Sequence, residues 1–474
     1  MTATRATGGG EKRRRAVFVV TSLGAFMATL DLSIVNIAFP PLEAAFPGSS
    51  EATLTWVITG YSVVFGALLV VAGRTADRIG ARRVFFAGLL VFCGGSALCG
   101  LAPWIGWLVG ARLVQAVGAA AMLPASLGLL LVAYPVERRS HIVALWSGIG
   151  ALAVATGPTL GALLITAFDW RAVFFVNLPV GLVAWQLGRR TLDDPPLDSD
   201  LPAPDYVGSA ILVVGLAAIV LAVSEGPDWG WGSPGVIGAA VVTVLALALF
   251  VRRSLHHPDP VLDLTLFRSR SFSVAGAATF AYAMGFFAML LGNILFLTGV
   301  WGFTTLEAGL AVTPGPLVVA VVAGRAGKLA ARIGFRPVLL TGSLTFAIGL
   351  AWFAVVVGTT PHYFTEFFPG QLICGLGIGL TFPVLGAAVV AGLPPARLSL
   401  GSAVGQTWRQ VGGAIGVSIM AVILGAPATR SAAMTRFDHV WIYAAAMALT
   451  CGAICLLLDR RQVRPSGAPA LKSG

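Results

Sequence analysis

No soluble fold accommodates what this chain repeats fourteen times: an apolar run of roughly 20 residues, set off from the next by a short polar break. At 1.5 Å per helical residue, about 20 apolar residues cross a hydrocarbon core about 30 Å thick. In lipid every backbone polar group must be paired within its own segment, so these runs are helices and not open sheet. They fall at about 16–40, 53–73, 84–102, 104–133, 141–167, 172–188, 207–224, 235–251, 272–300, 306–327, 337–358, 363–391, 399–424 and 439–458. The composition agrees. Charged residues make up only 11 % of the chain, against about 25 % for an average soluble domain. That excludes a soluble enzyme, a disordered chain and a small disulfide-stapled domain. All five cysteines lie inside apolar runs and read as reduced packing residues. Cys451 and Cys455 share a helix face, but no His or carboxylate joins them, so no metal site is expected.

A net charge of +11 would suit a nucleic-acid binder if it formed one patch. It does not. The basic residues sit in short clusters between spans, and no nucleic-acid partner is expected. An even number of spans puts both termini on one side of the bilayer. On that side fall 26 Lys and Arg, with three (Arg171, Arg430, Arg436) on the other and two (Arg112, Arg409) within spans. This asymmetry predicts cytoplasmic termini in a plasma membrane. Seven tryptophans (Trp56, Trp104, Trp170, Trp229, Trp231, Trp301, Trp441) fall near the outer span ends, where an interfacial belt is expected. The run after Lys12-Arg13-Arg14-Arg15 shows no convincing cleavage site and reads as an uncleaved first span.

The segment GRTADRIGARRV (73–84) recurs as GKLAARIGFRPV (327–338), with seven of twelve positions identical. A weaker echo pairs VGAAAMLP (117–124) with LGIGLTFP (376–383). Spans 1–6 therefore repeat as spans 9–14, and spans 7 and 8 are an insertion. The expected fold is an all-α membrane protein of fourteen transmembrane helices, two six-helix bundles related by an axis along the membrane normal, plus an inserted pair. The units are a tail at 1–15, a first bundle at 16–190, a linker at 191–206, the inserted spans at 207–252, an interfacial segment at 253–271, a second bundle at 272–458 and a tail at 459–474. The first and last dozen residues are expected to be disordered.

Charge within a bilayer is costly and marks function. Three charged residues lie deep in spans. Asp31 lies about 22 Å from the inner face and Arg112 about 18 Å, so the two fall at similar depth in the first bundle. Asp31 can take up and release a proton, with burial raising its affinity and Arg112 lowering it. The alternative is a permanent ion pair that only fixes helix packing. Arg112 either tunes Asp31 or packs on backbone carbonyls. Arg409, about 14 Å from the inner face, either lines a cavity or bonds helix ends in the second bundle.

The loop GRTADRIGARR either gates the inner mouth or only holds topology. In it Gly73 and Gly80 allow tight helix ends, Asp77 can cap the next helix or pair with an arginine across the bundle interface, and Arg78 and Arg82 supply positive charge. Ala331 replaces Asp77 in the second copy, so such a latch would be one-sided. The fifth span, GIGALAVATGPTLGALL, is thin and kinkable because of Gly157, Pro158 and Gly161 together with Gly148 and Gly150. No phosphate-binding G-x-x-x-x-G-K-[ST] loop occurs, no histidine pair is placed for haem, and no TVGYG-like filter appears. Neither an enzyme nor a cofactor is expected.

LDLSIVNIAFP (30–40), GRTADRIGARR (73–83), ARLVQAVGAA (111–120), GPTLGA (157–162), FDWRAVFFVNLPVG (168–181) and WRQVGGAIGV (408–417) together resemble the major facilitator superfamily, and within it the fourteen-helix drug–proton antiporter branch. The resemblance covers about 16–460 and implies alternating-access export driven by proton influx. By it Asp31 matches the acidic position of the first span and Arg112 the arginine tied to proton transfer. Gly73, Asp77, Arg78, Gly80 and Arg82 match the loop motif, and Gly157, Pro158 and Gly161 the antiporter motif. Ala144, Ala153 and Ala162 stand where the family usually has Gly, and Thr75 replaces an apolar residue. The expected function is proton-coupled efflux of small amphipathic compounds such as drugs or antibiotics. The alternatives are a dedicated exporter or a proton-coupled importer of one endogenous metabolite. Expected substrate-cavity contacts are Phe26, Tyr61, Phe65, Tyr282, Phe286, Asn293, Gln406 and Arg409.

Overall fold

The computed structural model describes residues 4–193, 204–257, 260–391, 393, 398–425 and 429–458. Most of the linker expected at 191–206 and the tail at 459–474 lie outside the described residues. The helices, in order, are α1 (Thr4–Ile37), α2 (Phe39–Ala45), α3 (Glu51–Ile79), α4 (Ala81–Gly100), α5 (Ile105–Ala133), α6 (Val136–Ala167), α7 (Ala172–Phe175), α8 (Asn177–Thr191), α9 (Tyr206–Trp229), α10 (Pro234–His256), α11 (Arg270–Gly299), α12 (Thr305–Val312), α13 (Pro314–Ile333), α14 (Phe335–Val356), α15 (Phe368–Val390), α16 (Leu398–Leu424) and α17 (Arg430–Cys455). A 3₁₀ turn (Leu264–Arg268) precedes α11, and one π-helical turn (Tyr363–Phe367) leads into α15. No strand is present among the described residues. We call the membrane face at which α1 begins the near face.

Thirteen helical segments are long and apolar enough to cross a bilayer, and α6 makes fourteen although it bends by 44° near residue 155. The bend has a local cause. Pro158 has no N–H, so the Val154 carbonyl four residues earlier loses its helical partner. The Ser33 hydroxyl of α1 donates to that carbonyl at 2.9 Å. Gly157 and Gly161 let α1 come this close: a methyl group at either would lie within 2.7 Å of Ser33 or Ile34 side-chain atoms.

The two bundles match at their closest helix contacts. A side-chain carbon on Gly118 of α5 would collide with the Phe92 backbone of α4, 2.7 Å from its Cα. One on Gly377 of α15 would do the same to Phe346 of α14, again at 2.7 Å. Gly95 packs on Gln115 as Gly349 packs on Cys374. The α4 and α14 partners are 254 positions apart and the α5 and α15 partners 259, the same registers as the two sequence echoes. The turns agree as well. Gly80 (φ 106°) and Gly334 (φ 95°) each end one helix and begin the next in a region closed to side chains.

The inserted pair does not float in lipid. α9 lies along the groove between α3 and α16, where Val63 and Ala67, Leu216 and Val220, and Val411 and Ala414 share one apolar cluster. Buried Asp205 caps α9 through the Gly208 N–H and accepts from Arg253 of α10 at 2.7 Å, clamping the pair at the near face. Along this flank the bundles are closely joined: the Thr407 hydroxyl donates to the Gly66 carbonyl at 2.6 Å. On the opposite flank α6 meets α12 in its far half, where Thr159 and Thr313 share a hydrogen bond and Gly309 forms a notch for Ala162. Toward the near face, methyl groups on Gly148, Gly324 or Gly327 would meet open space.

Three expectations are corrected. The 1–15 segment does not form a separate tail, because α1 already begins at Thr4. Arg15 pairs with Glu11 one turn earlier, and Arg13 with Asp193 at the end of the first bundle, which sustains the helix beyond the membrane. The last span starts nine residues early, at Arg430, behind a Thr429 cap. Trp170, Trp301 and Trp441 are buried within the protein and do not present their rings to lipid as a belt would. The Trp301 and Trp441 indoles donate inside the second bundle, to the Gly358 carbonyl and to Asn293.

Candidate functional site

Asp31 and Arg112 meet in the far half of the first bundle, 0 % and 1 % exposed. Arg112 Nη1 donates to Asp31 Oδ2 at 2.5 Å and to Gln115 Oε1 at 2.7 Å, and its Nε donates to the Val57 carbonyl at 3.0 Å. Gln115 Nε2 donates to Asp31 Oδ1 at 2.8 Å and to Ser96 Oγ at 2.7 Å. Ser96 Oγ also accepts from Asn177 at 3.1 Å. The Tyr61 ring lies beneath the guanidinium, 4.1 Å from its carbon. Both carboxylate oxygens are thereby engaged and the cation is held on a ring face, which offsets the desolvation cost of burying two charges. The Gly95 and Gly118 contacts bring Ser96 within reach of Gln115.

Gln115, Ser96 and Asn177 were not singled out by the sequence reading. Gln115 carried a usable signal, standing three residues after Arg112 and so on the same face of an otherwise apolar helix. The repeat makes the network one-sided: Gln371 occupies in α15 the place that Arg112 holds in α5, 259 positions earlier. Replacing Ser96 by Ala would leave Gln115 and Asn177 each short of an acceptor. We expect a loss of about 1–3 kcal/mol, read as a lowered melting temperature in detergent micelles.

A cavity of about 190 Å³ lies between the bundles. Thr29, Leu32, Ser33, Val154 and Pro158 form its first-bundle wall, and Phe286, Asn293, Phe382 and Arg409 are among the residues of the other. At 100° per residue, Thr29 and Ser33 lie on the face of α1 opposite Asp31. The ion pair and the cavity therefore sit back to back across one helix. Toward the far face a vestibule of about 660 Å³ opens between the bundles, with Glu43 and Arg430 on facing walls.

Of the expected cavity contacts, Phe286, Asn293 and Arg409 line the cavity. The rest lie elsewhere. Tyr61 belongs to the ion-pair site, with Phe65 stacked on it at 5.8 Å. Tyr282 is buried against Phe346 and Phe382. Phe26 is half-buried against an apolar cluster shared by both bundles, with Leu30 and Ile34 on one side and Val417 and Met420 on the other, and Gln406 is half-buried on α16 outside the cavity wall. Tyr61, Phe65 and Tyr282 fill bundle cores, where burial removes more apolar surface than a cavity wall does.

The loop motif is also placed differently from the expected latch. Gly80 makes the turn, but α4 has no side-chain cap, so Asp77 does not cap it. Asp77 is exposed and interacts with Arg74, three residues back on α3. Arg74 also feels Asp263 of the segment before α11, and the Thr75 and Tyr206 hydroxyls are hydrogen-bonded at 3.1 Å. These ties run to the inserted pair and its connector. Arg78 is half-buried, Arg82 lies 5.8 Å from the Phe86 ring, and Gly73 rests on Pro124 with room for a methyl group. In the antiporter motif Ala153 and Ala162 are fully buried, the latter fitted by Gly309; the Ala144 side chain lies outside those described.

Comparison with known proteins completes the assignment. The family model described as Major Facilitator Superfamily matches residues 21–417, with a second match at 274–473. The chain is 33 % identical over 421 residues to the methylenomycin A resistance protein of Streptomyces coelicolor, covering 88 % of this chain and 87 % of that one. It is 32 % identical over 409 residues to the multidrug resistance protein Stp of Mycobacterium tuberculosis, covering 86 % and 75 %. To the multidrug export protein EmrB of Escherichia coli it is 30 % identical over 403 residues, covering 85 % and 78 %. A bacterial homologue of the human drug peptide transporters PepT1 and PepT2 shares the fold with a TM-score of 0.64 at 15 % identity, covering 94 % of this chain and 97 % of that one. Two matched six-helix bundles, an inserted pair and a family match over most of the length lead to one conclusion: the chain is a multi-pass membrane protein of the major facilitator superfamily.

Proposed function

We propose that this protein exports small amphipathic compounds across the plasma membrane in exchange for protons, with its near face and termini in the cytoplasm. The observation that carries the reading is Asp31, a carboxylate without solvent exposure, held by Arg112 and Gln115 on the back of a helix whose front lines the cavity. A proton arriving at Asp31 removes the negative charge that fixes Arg112. Arg112 then retains Gln115, the Val57 carbonyl and the Tyr61 face, and α1 is free to shift against α5. Because Ser33 is bonded to the bend of α6, a shift of α1 is transmitted to the flank that meets α12. Release of the proton restores the pair. The likeness to a multidrug export protein supports this direction, and the excess of Lys and Arg on the near side supports this orientation.

The test is a proteoliposome with a trapped pH indicator, an imposed pH step, and aromatic probes that are anionic, neutral or cationic. At least one probe is expected to discharge the gradient and to accumulate on the acidic side, above protein-free vesicles. If none moves protons, or if accumulation follows the alkaline side, proton-coupled export is overturned.

A further inference from the structure

The cavity wall carries a charge that nothing in the protein balances. Arg409 lines it, and its Nε is buried without a hydrogen-bond partner. Asn293, 1 % exposed, lines it as well; its Oδ1 accepts from Trp441 at 2.9 Å, while its Nδ2 is a buried donor with no acceptor. Gln371 adds a third polar group on the same side. Around them stand Phe286, Phe287 and Phe382, the last with its ring 5.7 Å from the Arg409 guanidinium carbon. No carboxylate lines this cavity among the described residues. Asp31, the carboxylate nearest in depth, faces away behind α1 and is already paired.

An unpaired cation and an orphaned donor on the wall of an apolar cavity each carry a desolvation cost that an anionic ligand offsets. Resting on the export reading above, we propose that the cavity selects anionic aromatic compounds, carboxylates or sulfonates on a flat ring system, with Arg409 as the anchor. The acid group takes the Arg409 guanidinium and the Asn293 Nδ2, and the ring stacks among the phenylalanines. Drug-sized ligands usually occupy about 300–1,000 Å³, so a cavity of about 190 Å³ favours one or two fused rings unless the bundles part.

The probes are 2-naphthalenesulfonate and (2-naphthyl)trimethylammonium, which share a ring system and differ in charge. Their binding to purified protein in micelles is measured by calorimetry, without any gradient. A charge-assisted contact of about 1.5–3 kcal/mol predicts at least about tenfold preference for the sulfonate. Arg409→Gln should abolish that preference and Arg409→Lys should keep most of it. Asn293→Asp retains the acceptor for Trp441 and neutralises the charge of Arg409, and should remove the preference for the sulfonate. Equal or tighter binding of the ammonium by wild type, or an unchanged ratio in Arg409→Gln, overturns the proposal. A preserved ratio together with failure of proton-driven transport would instead overturn export and leave the anion site standing.

Discussion

Replacing Asp31 by Asn is expected to stop proton-driven transport, with the rate in proteoliposomes falling to that of protein-free vesicles under the same pH step. Asn keeps the size of the side chain but cannot exchange a proton. It also leaves Arg112, 1 % exposed, without its counter-charge. Removing one partner of a buried pair costs about 3–5 kcal/mol, so the single variant will also be less stable. The double variant Asp31→Asn with Arg112→Gln separates the two effects. With no charge left to bury it should regain most of the melting temperature and still show no proton coupling. Asp31→Glu should retain coupling at a reduced rate. Wild-type pH dependence in Asp31→Asn would remove this carboxylate from the proton path. Restored coupling in the double variant would make the pair purely structural.

The second large effect is on folding. Gly118→Leu should destabilise the protein by more than about 4 kcal/mol and eliminate the monodisperse peak in size-exclusion chromatography. Even one carbon there would strike the Phe92 backbone, which cannot rotate away as a side chain would. Gly377→Leu should do the same in the second bundle, against Phe346. Gly94→Leu is the control: it lies on the same α4 helix with nothing within 4 Å, and should leave the peak intact. If Gly118→Leu purifies like wild type, the close contact between α4 and α5 is not required.

Much of this architecture can be read from the residues because lipid leaves few choices. Span length, the two echoes 254 and 259 positions apart, and the clustering of Lys and Arg identify the helices and the repeat. The depth of Asp31 and Arg112 was likewise readable, since depth follows from rise per residue. Direction around a helix was not. Tyr61 and Phe65 have the chemistry of a substrate contact, yet they face Arg112 and the bundle core; which way they point depends on how α3 is rotated by its contacts with α5 and α16. Span ends at polar caps were also hidden. Thr429 starts α17 well outside the apolar run, because hydropathy marks the lipid core and not the helix. Ser96 and Asn177 gave no signal in a linear reading, since only the Gly95 contact makes Ser96 a neighbour of Gln115.

The placement of α9 against α3 and α16 makes the two sides of the molecule unequal. Here the inserted hairpin packs over the flank where α3 meets α16, and no further helix among the described residues packs over the flank where α6 meets α12. On the proposed export reading, a neighbouring protein bound along the α6–α12 flank would oppose parting of the bundles there without touching Asp31 or Arg112.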